Sequence, residues 1–456
     1  MLLCRLKKLK ENKNLPIYNS LVDYKKKFRS SFHTPGHKNN FFSKFEDLFE
    51  LDFTEIKDTD DLYNPRGCIF LAQDLAKRYF KTQATVFSAG GNTLCIQAML
   101  KLSTKVNDKI ICSRNLHKSA LYAIILLGLK PIWVFPKGDN LNRIFINQIT
   151  AQDIKKSLEK NKDAKAVYVT SPDYYGNMCD IRAISKECKL LNIPLLVDNA
   201  HGTHLRCLNP NIHPINLGAD FCADSAHKTT PTLTGGAFLH VNNLSFCSVS
   251  PLEAMSVFGS TSPSFPILAS LDLCRDWMQK KGKEAFFDLI KKVELIKSIS
   301  KNHGIFVQDG LVDPTRISLG TPNIGYTPKE SAVFFRRYGV EPEFESDFFL
   351  VLIASAFNTN EDFCRLERAI LNLKIKQPLK IKIPKIVQYR QDVLPREAFF
   401  SSSKRVPIKQ SLNMIVAQCV CPCPPGVPLV IPGEKINETT INLLQSYGVL
   451  EILVLK

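Results

Sequence analysis

The sequence predicts an α/β protein with a mostly parallel central sheet in a large domain, followed by a smaller α+β domain. Up to about residue 275, short apolar and β-branched runs alternate with longer amphipathic stretches, and Gly, Ser or Asn separates the two. Beyond that point, long charged helical stretches are followed by isolated strand-like runs. Alternating strands and helices favour a parallel sheet that is covered on both faces.

Five predicted strands carry the sheet, at residues 84–88, 109–113, 131–135, 166–170 and 193–197. Helices are predicted after the first two strands and at 181–191. Polar loops follow at 88–93, 114–118, 170–175 and 198–204. Because open α/β sheets bind ligands at the carboxyl ends of their strands, we expect these loops to line one crevice.

The later part of the chain predicts four further segments. Residues 305–308 and 349–354 read as strands and 361–374 as a helix, while 376–407, rich in Pro and charge, predicts a linker or irregular return segment. The whole chain is expected to contain an N-terminal arm, a large domain, a small α+β domain and a C-terminal unit, at 1–50, 51–285, 286–385 and 386–456.

Composition excludes several classes of protein. With 45% hydrophobic and 23% charged residues, the chain predicts a globular protein. Lysines interrupt the N-terminus, so no secretory signal is predicted, and the most apolar stretch is broken by Gly128 and Lys130, so no membrane span is predicted. The net charge of +17 is spread along the chain without a nucleic-acid motif, so no nucleic-acid partner is expected.

The 14 cysteines are scattered rather than regularly spaced. Several, such as Cys95, Cys112 and Cys364, lie in apolar segments, which suits buried free thiols in a reducing compartment. A cytoplasmic location is therefore expected.

Two residues carry the chemistry, one in the last of these polar loops and one further along the chain. Asp198 ends an apolar strand, where a buried carboxylate needs a cation or several donors. Lys228 lies with Ser225 and His227 in a polar cluster between apolar flanks, and a desolvated lysine amine is a carbonyl nucleophile. Pyridoxal phosphate (PLP) chemistry requires this combination, a carboxylate for the pyridinium nitrogen and a lysine for the aldehyde carbon.

A phosphate site is also predicted. Residues 89–93, AGGNT, open a helix and offer backbone amides together with the helix dipole, and Ser225 adds a hydroxyl. Most Gly-Gly turns are only tight turns, so this segment counts as evidence only beside Lys228 and Asp198.

The order of longer motifs carries a resemblance over nearly the whole chain. The motifs are FHTPGHK (32–38), TEI with DDLYNP (54–65), RNLHKS (114–119), TSPDYYG (170–176), DNAHGTH (198–204), DSAHKTTPTLTGGAFLHV (224–241), STSPSF (260–265) and PPGVPLVIPGE (424–434). In this order they resemble the Orn/Lys/Arg decarboxylase family. The resemblance implies the PLP-dependent transferase fold (fold type I) and decarboxylation of lysine, arginine or ornithine to the diamine or agmatine.

The resemblance also assigns residues. It makes Lys228 the Schiff-base lysine and Asp198 the pyridinium partner, with His117 stacked on the cofactor ring and His201 beside it. The residues implied around the phosphate are Gly91, Asn92, Thr93, Ser225 and His227. His117 and His227 would order the proton transfers. Residues 260–264, which include Ser262, would reach the neighbouring subunit's site, and Glu434 would lie where the C-terminal unit closes over the substrate.

The chain departs from the family pattern at four of these motif positions. Asn199 and Thr203 replace the usual Glu and Ala, Asn92 replaces a small hydroxyl residue, and Cys423 replaces a Tyr. None of these changes removes Lys228 or Asp198, but Cys423 leaves the substrate open. The chain resembles the short form without an N-terminal wing domain, for which a homodimer with shared active sites is the minimal expectation.

Parts of the sequence are also compatible with other functions. Metal sites can be imagined at His201 with His204, at His33 with His37, and at the alternating cysteines 419, 421 and 423, but the spacing of zinc ligands is missing and no metal is expected. Transamination or aldol cleavage on the same fold, and a catalytically silent homologue, stay as alternatives. The candidates for reading the substrate's charged end are Glu343, Glu345, Asp347 and Glu434, which spacing does not rank.

Overall fold

The structure is a computed structural model that describes residues 14–27, 35, 50–136, 148–380, 390–422 and 426–456. It divides into two compact units, one formed by Met1–Ser103 with Leu196–Phe286 and the other by Thr104–Leu195 with Phe287–Lys456. The four domain bounds expected from the sequence stay a prediction.

The described helices are α1 (Pro16–Lys25), α2 (Cys68–Phe80), α3 (Gly91–Ser103), α4 (Lys118–Leu127), α5 (Ala151–Lys160), α6 (Ile181–Leu190), α7 (Pro214–Leu217), α8 (Ala226–Thr229), α9 (Pro251–Ser256), α10 (Phe265–Trp277), α11 (Lys283–Asn302), α12 (Pro328–Arg337), α13 (Asn360–Asn372), α14 (Pro395–Phe400) and α15 (Glu438–Ser446). No helix in these parts of the chain is long and apolar enough to cross a membrane.

The described strands are β1 (Ala84–Ser88), β2 (Lys109–Ser113), β3 (Lys130–Val134), β4 (Ala166–Thr170), β5 (Leu195–Asp198), β6 (Phe221–Asp224), β7 (Ala237–Val241), β8 (Phe306–Val307), β9 (Arg316–Gly320), β10 (Phe344–Glu345), β11 (Leu350–Ile353), β12 (Ser403–Pro407) and β13 (Glu451–Leu455).

In the first unit, the strands are hydrogen-bonded in the order β1, β7, β6 and β5. β5 and β6 are parallel and pair Asp198 with Ala223, while β7 is antiparallel to both of its neighbours. Every residue of β5 and β6 is buried, as their continuous apolar sequences require. The register brings the two strand ends, Asp198 and Asp224, to the same edge of the sheet.

In the second unit, β4, β2 and β3 are parallel, and β10, β11, β9 and β8 form a separate antiparallel sheet. β12 and β13 form a two-stranded antiparallel sheet. Buried apolar side chains pack around this last pair, among them Val416, Leu444 and Val454. The mostly parallel central sheet and the smaller α+β part confirm the predicted fold class.

The predicted elements agree closely with the structure where hydrophobic pattern alone decides them. β1, β2 and β4 have the predicted bounds, and β3 begins and ends one residue earlier than predicted. The linker predicted at 376–407 is wrong in part, because α14 and β12 lie in it; β12 pairs with the last strand, a partner that its own sequence does not reveal.

Cys364 is also a correction. The sequence predicts a buried thiol at this position, but Cys364 is exposed on α13. The buried residues of this helix are Leu366, Ala369 and Ile370. Cys364 and Leu366 are two positions apart, which is about 200° around a helix, so the thiol points away from the packed face. The other described cysteines are free thiols, as expected.

Candidate active site

Asp198 is the buried centre of the first unit's polar cluster, with 1% of its surface exposed. The Nδ2 atom of Asn92 lies 3.0 Å from its Oδ1 atom, and the backbone N–H of Ala200 donates to the same oxygen at 3.1 Å. Asn92 is the second residue of α3, whose first turn therefore reaches the end of β5. The donors predicted for this carboxylate are thus present, and one of them is a side chain that the sequence placed at a phosphate.

Lys228 lies in α8, four residues beyond the end of β6. Its Nζ atom is 3.0 Å from Nε2 of His201, a residue that is 4% exposed. An ammonium group has only donors, so the imidazole nitrogen accepts this hydrogen bond. The structure therefore brings Lys228 and His201 together in the unit that holds Asp198.

His227 is turned toward the loop that precedes β7. Its Nδ1 atom lies 3.0 Å from the carbonyl oxygen of Gly236, so Nδ1 carries the proton and Nε2 is the acceptor in the neutral ring. Burial lowers the pKa of His227. The hydrogen bond to the Gly236 carbonyl opposes this shift, and the charge of Lys228 adds to it. The neutral ring can therefore accept a proton at Nε2.

The turn before α3 is close to this loop. The N–H of Gly91 donates to the carbonyl oxygen of Gly235 at 2.8 Å, so this amide is already used within the protein. Gly91 has φ of +73°, which favours glycine, and a Cβ atom there would meet nothing within 4 Å. Space is therefore open at the start of α3, where the sequence predicted a phosphate.

Three further predicted residues have simpler surroundings. Ser225 is 2% exposed and precedes α8, while Thr93 is exposed in the first turn of α3. Ser262 is exposed in a turn, where its N–H donates to Oγ of Ser260 at 3.1 Å. The structure tests none of their predicted roles.

Sequence reasoning missed a buried network around Asp224, at the end of β6. Nε2 of His213 lies 2.9 Å and Nε2 of His240 3.4 Å from its Oδ2 atom. Nδ2 of Asn199 donates to its Oδ1 atom at 2.7 Å. Burial would raise the pKa of Asp224, but the two histidines outweigh it and hold this pKa well below its usual range. Asp224 and His240 lie at the two ends of the 224–241 motif and His213 lies outside it, so the motif does not show that the three side chains meet.

His213, Asp224 and His240 form a group that could hold a metal ion by proximity. The backbone N–H of Ile215, however, donates to Nδ1 of His213 at 3.3 Å. A neutral ring then carries its proton on Nε2, which is the atom facing Asp224, and a metal ligand must be free of that proton. The geometry favours a hydrogen-bonded network.

In the second unit, His117 is the N-cap of α4, and its Nδ1 atom accepts from the backbone N–H of Ser119 at 3.2 Å. The neutral ring therefore carries its proton on Nε2. The N–H of Lys118 donates to the carbonyl oxygen of Gly426 at 2.8 Å. A Cβ atom on Gly426 would lie 2.5 Å from Nε2 and Cδ2 of His117, so glycine is required where this segment crosses the ring.

Glu434 is held by Arg114 in a buried ion pair. Nε and Nη2 of Arg114 donate to Oε1 and Oε2 of Glu434 at 3.0 and 3.1 Å, and the N–H of Ile431 donates to Oε2 at 2.9 Å. The exposed fractions of the two side chains are 7% and 2%. Both carboxylate oxygens are thus engaged within the protein, which favours a role in holding the C-terminal segment over the predicted contact with substrate.

The other three acidic candidates also lie in the second unit and have partners. Glu345 pairs with Arg336 at 3.0 Å. Glu343 accepts from the hydroxyl of Tyr174, and Asp347 is hydrogen-bonded to Tyr447. Glu343 and Asp347 are held by neutral hydroxyl groups, so neither hydrogen bond cancels the carboxylate charge.

The structure thus joins Asp198 to Asn92, Lys228 to His201, and His117 to Gly426. The expected convergence of loops 114–118 and 170–175 with the first unit's residues stays a prediction. His33 and His37, and Cys423, lie outside the described residues.

Two models of known protein domains match the chain. The model of the Orn/Lys/Arg decarboxylase major domain matches residues 15–315, and that of the Orn/Lys/Arg decarboxylase C-terminal domain matches residues 384–451. The chain is 31% identical to an arginine decarboxylase of Bacillus anthracis, over 94% of this chain and 92% of that protein. It is 29% identical to an arginine decarboxylase of Bacillus subtilis strain 168, with the same two coverages of 94% and 92%.

Among solved structures, the chain resembles a lysine decarboxylase of Francisella novicida with a TM-score of 0.82 and 19% identity. The similarity covers 97% of this chain and 81% of that one. At this level of identity the likeness concerns the fold alone.

Proposed function

The chain belongs to the Orn/Lys/Arg decarboxylase family, and from this membership we propose that it uses PLP to convert lysine, arginine or ornithine into CO2 and the corresponding diamine or agmatine. The observation that carries the proposal is the pair Lys228 and Asp198. Both lie in the first unit, in or just beyond the ends of the parallel strands β5 and β6. Each residue has the chemistry that one end of a pyridoxal ring requires.

The residues around this pair suit an anionic cofactor. The hydroxyl of Thr229, next to Lys228, is buried and has no hydrogen-bond partner in the described part of the chain. An unsatisfied buried hydroxyl is costly, and a phosphate oxygen would satisfy it. Open space at Gly91 lies at the start of α3, where the helix dipole favours negative charge.

When bound, PLP supplies an electron sink for the bond that breaks at the substrate's Cα. Asp198 keeps a proton on the ring nitrogen, because a carboxylate stabilises a neighbouring cation. Lys228 would hold the aldehyde end of PLP through its side-chain amine. His201 accepts a proton from Lys228 at Nε2, since that hydrogen bond is already formed.

The reaction balances as loss of the α-carboxylate as CO2 and gain of one proton at Cα. His227 can hold that proton at Nε2, because its other ring nitrogen is committed to Gly236. His117 presents an N–H at Nε2 and is proposed to stack on the ring. A decarboxylase needs the leaving carboxylate unpaired, in contrast to an aminotransferase.

Arginine is the first substrate to test, because the two curated relatives described above are named arginine decarboxylases. A cationic side chain needs a carboxylate that retains its charge. Glu343 and Asp347 are therefore better candidates than Glu345 and Glu434, each of which is paired with an arginine. Burial raises the pKa of Asp347, which leaves Glu343 as the first residue to change.

The experiment compares wild type with Lys228→Ala after incubation with PLP. CO2 release from arginine, lysine and ornithine is measured together with the visible absorbance of the bound cofactor. Lys280, an exposed lysine paired with Asp276, provides Lys280→Ala as the control. We expect Lys228→Ala to lose absorbance and turnover and the control to keep both. CO2 release by Lys228→Ala at the wild-type rate, or a keto acid as the product, would contradict the proposal.

The family membership supports five further parts of the proposal. The protein acts in the cytoplasm, forms at least a homodimer, and places residues 260–264 at the neighbouring subunit's site. Residues 51–285 form its PLP-binding domain, and residues 386–456 close the active site.

A further inference from the structure

Asn92 makes a contact that its place in a phosphate-type turn does not explain. The residue is only 7% exposed, and its Nδ2 atom lies 3.0 Å from Oδ1 of Asp198. The same oxygen accepts from the N–H of Ala200 at 3.1 Å. Two donors from different elements, α3 and the turn after β5, thus converge on one carboxylate oxygen.

Charge fixes which end of the amide faces Asp198. If the amide were turned around, its oxygen would face a carboxylate oxygen at 3.0 Å, and two acceptors would repel each other. In the orientation observed, Oδ1 of Asn92 is buried and has no hydrogen-bond partner among the residues that the structure describes. Asp198 therefore determines the orientation of the Asn92 side chain, although this orientation leaves the amide oxygen without a hydrogen bond within the described residues.

We propose that Asn92 is a positioning residue for Asp198 and so acts on the cofactor's ring nitrogen, not on its phosphate. This inference rests on the proposed function. The amide fixes one carboxylate oxygen and stabilises its negative charge, since a hydrogen bond to the charged form favours that form. The carboxylate is then oriented before the cofactor arrives, and less of the binding free energy is spent on ordering it.

The residue type is specific to this task. A serine hydroxyl, the small group usual at this position of the family, is one bond closer to the backbone than the amide nitrogen of asparagine. It therefore falls short of Asp198 unless α3 shifts. Asn92→Ser therefore removes the contact and introduces a residue that is well tolerated near the start of a helix.

The test measures dissociation constants of the apoprotein for three ligands. These are PLP, the deaza analogue of PLP that has carbon in place of the ring nitrogen, and pyridoxal, which lacks the phosphate. A hydrogen bond to a charged group contributes roughly a tenfold change or more in an equilibrium constant. We expect Asn92→Ser to weaken PLP and pyridoxal about tenfold and to leave the deaza analogue unchanged. Asn216→Ser, an exposed Asn in the same unit, should change none of the three.

Other patterns overturn the inference. If Asn92→Ser weakens PLP and the deaza analogue but not pyridoxal, Asn92 acts at the phosphate. If all three ligands weaken equally, Asn92 only supports the local fold. If wild type does not bind PLP, or binds it without a covalent bond to Lys228, the proposed function fails together with this inference. Either of the first two patterns overturns the inference and leaves the proposed function intact.

A second variant of the same shape gives a readout that depends on charge. Asn92→Asp places a second carboxyl against Asp198. At low pH the new carboxyl is protonated and can still donate, but at higher pH the two negative charges repel each other. We expect its PLP affinity to fall, relative to wild type, as pH rises, with no such trend for the deaza analogue. A flat pH profile, or the same trend for both ligands, would count against a role through the ring nitrogen.

Discussion

Breaking the ion pair between Arg114 and Glu434 should destabilise the second unit strongly. Arg114→Met removes both hydrogen bonds from the arginine to the Glu434 carboxylate, whose side chain is 2% exposed. The backbone N–H of Ile431 still donates to this carboxylate. Removing one partner of a buried pair typically costs ~3–5 kcal/mol, because the remaining charge is left uncompensated. We expect a loss in that range near neutral pH.

The assay is urea unfolding followed by tryptophan fluorescence. Trp133 lies beside Arg114, with its ring centroid 5.9 Å from the guanidinium carbon, so Trp277→Phe leaves a probe in the second unit. Arg365→Met breaks an exposed pair with Glu361, whose side chains are 47% and 55% exposed, and should cost less than ~1 kcal/mol. Equal costs for the two arginine variants would refute the reasoning.

The difference should also depend on pH. Burial raises the pKa of Glu434, and Arg114 opposes that rise. Without Arg114, the folded-state pKa of this carboxyl rises further above the unfolded value. Stability linked to a raised carboxyl pKa is present at low pH and lost as pH rises. The gap between Arg114→Met and wild type should therefore narrow on acidification toward about pH 5, close to the ordinary carboxyl pKa.

Two further predictions concern Gly426 and His240. Gly426→Ala, at φ of +76°, should push on the His117 ring and weaken PLP binding. The control is Gly448→Ala, at φ of +75°, where a Cβ atom would meet nothing within 4 Å and only backbone strain is expected. Equal PLP affinities for the two variants would contradict this prediction. Burial lowers the pKa of His240, and a lowered histidine pKa gives stability that is present above the unfolded value of about 6.5 and lost as pH falls. In His240→Gln the free energy of unfolding, measured by denaturant titration, should decline less steeply than in wild type as pH falls below about 6.5. The same decline in both proteins would count against a buried neutral ring beside Asp224.

Much of the fold follows from local pattern. Continuous apolar runs predicted β1, β2 and β4, because a strand buried on both faces needs no information from distant residues. The motif order predicted that Lys228 and Asp198 belong to one site, and the structure places both in one unit. The β12 strand lacks such a pattern and depends on pairing with β13, so the sequence predicts a linker or irregular return segment there.

The contacts that orient the site could not be predicted in the same way. Arg114 and Glu434 are 320 positions apart, and the hydrogen bond between Asn92 and Asp198 spans 106. The residues around each of these side chains do not specify its distant partner. A buried charge requires an opposite charge or a hydrogen-bond donor, but the sequence does not say which residue supplies it. For this reason the sequence predicts neither contact, and the roles it predicts for Asn92 at a phosphate and for Glu434 at the substrate stay predictions.

The most direct test of the central claim is to locate the covalent bond between protein and cofactor. The protein is incubated with PLP, reduced with borohydride, digested, and its peptides are analysed by mass spectrometry. The account predicts the pyridoxyl group on Lys228, and none at that position when Asp198→Ala abolishes cofactor binding. Modification of a different lysine with Lys228 unmodified would contradict it.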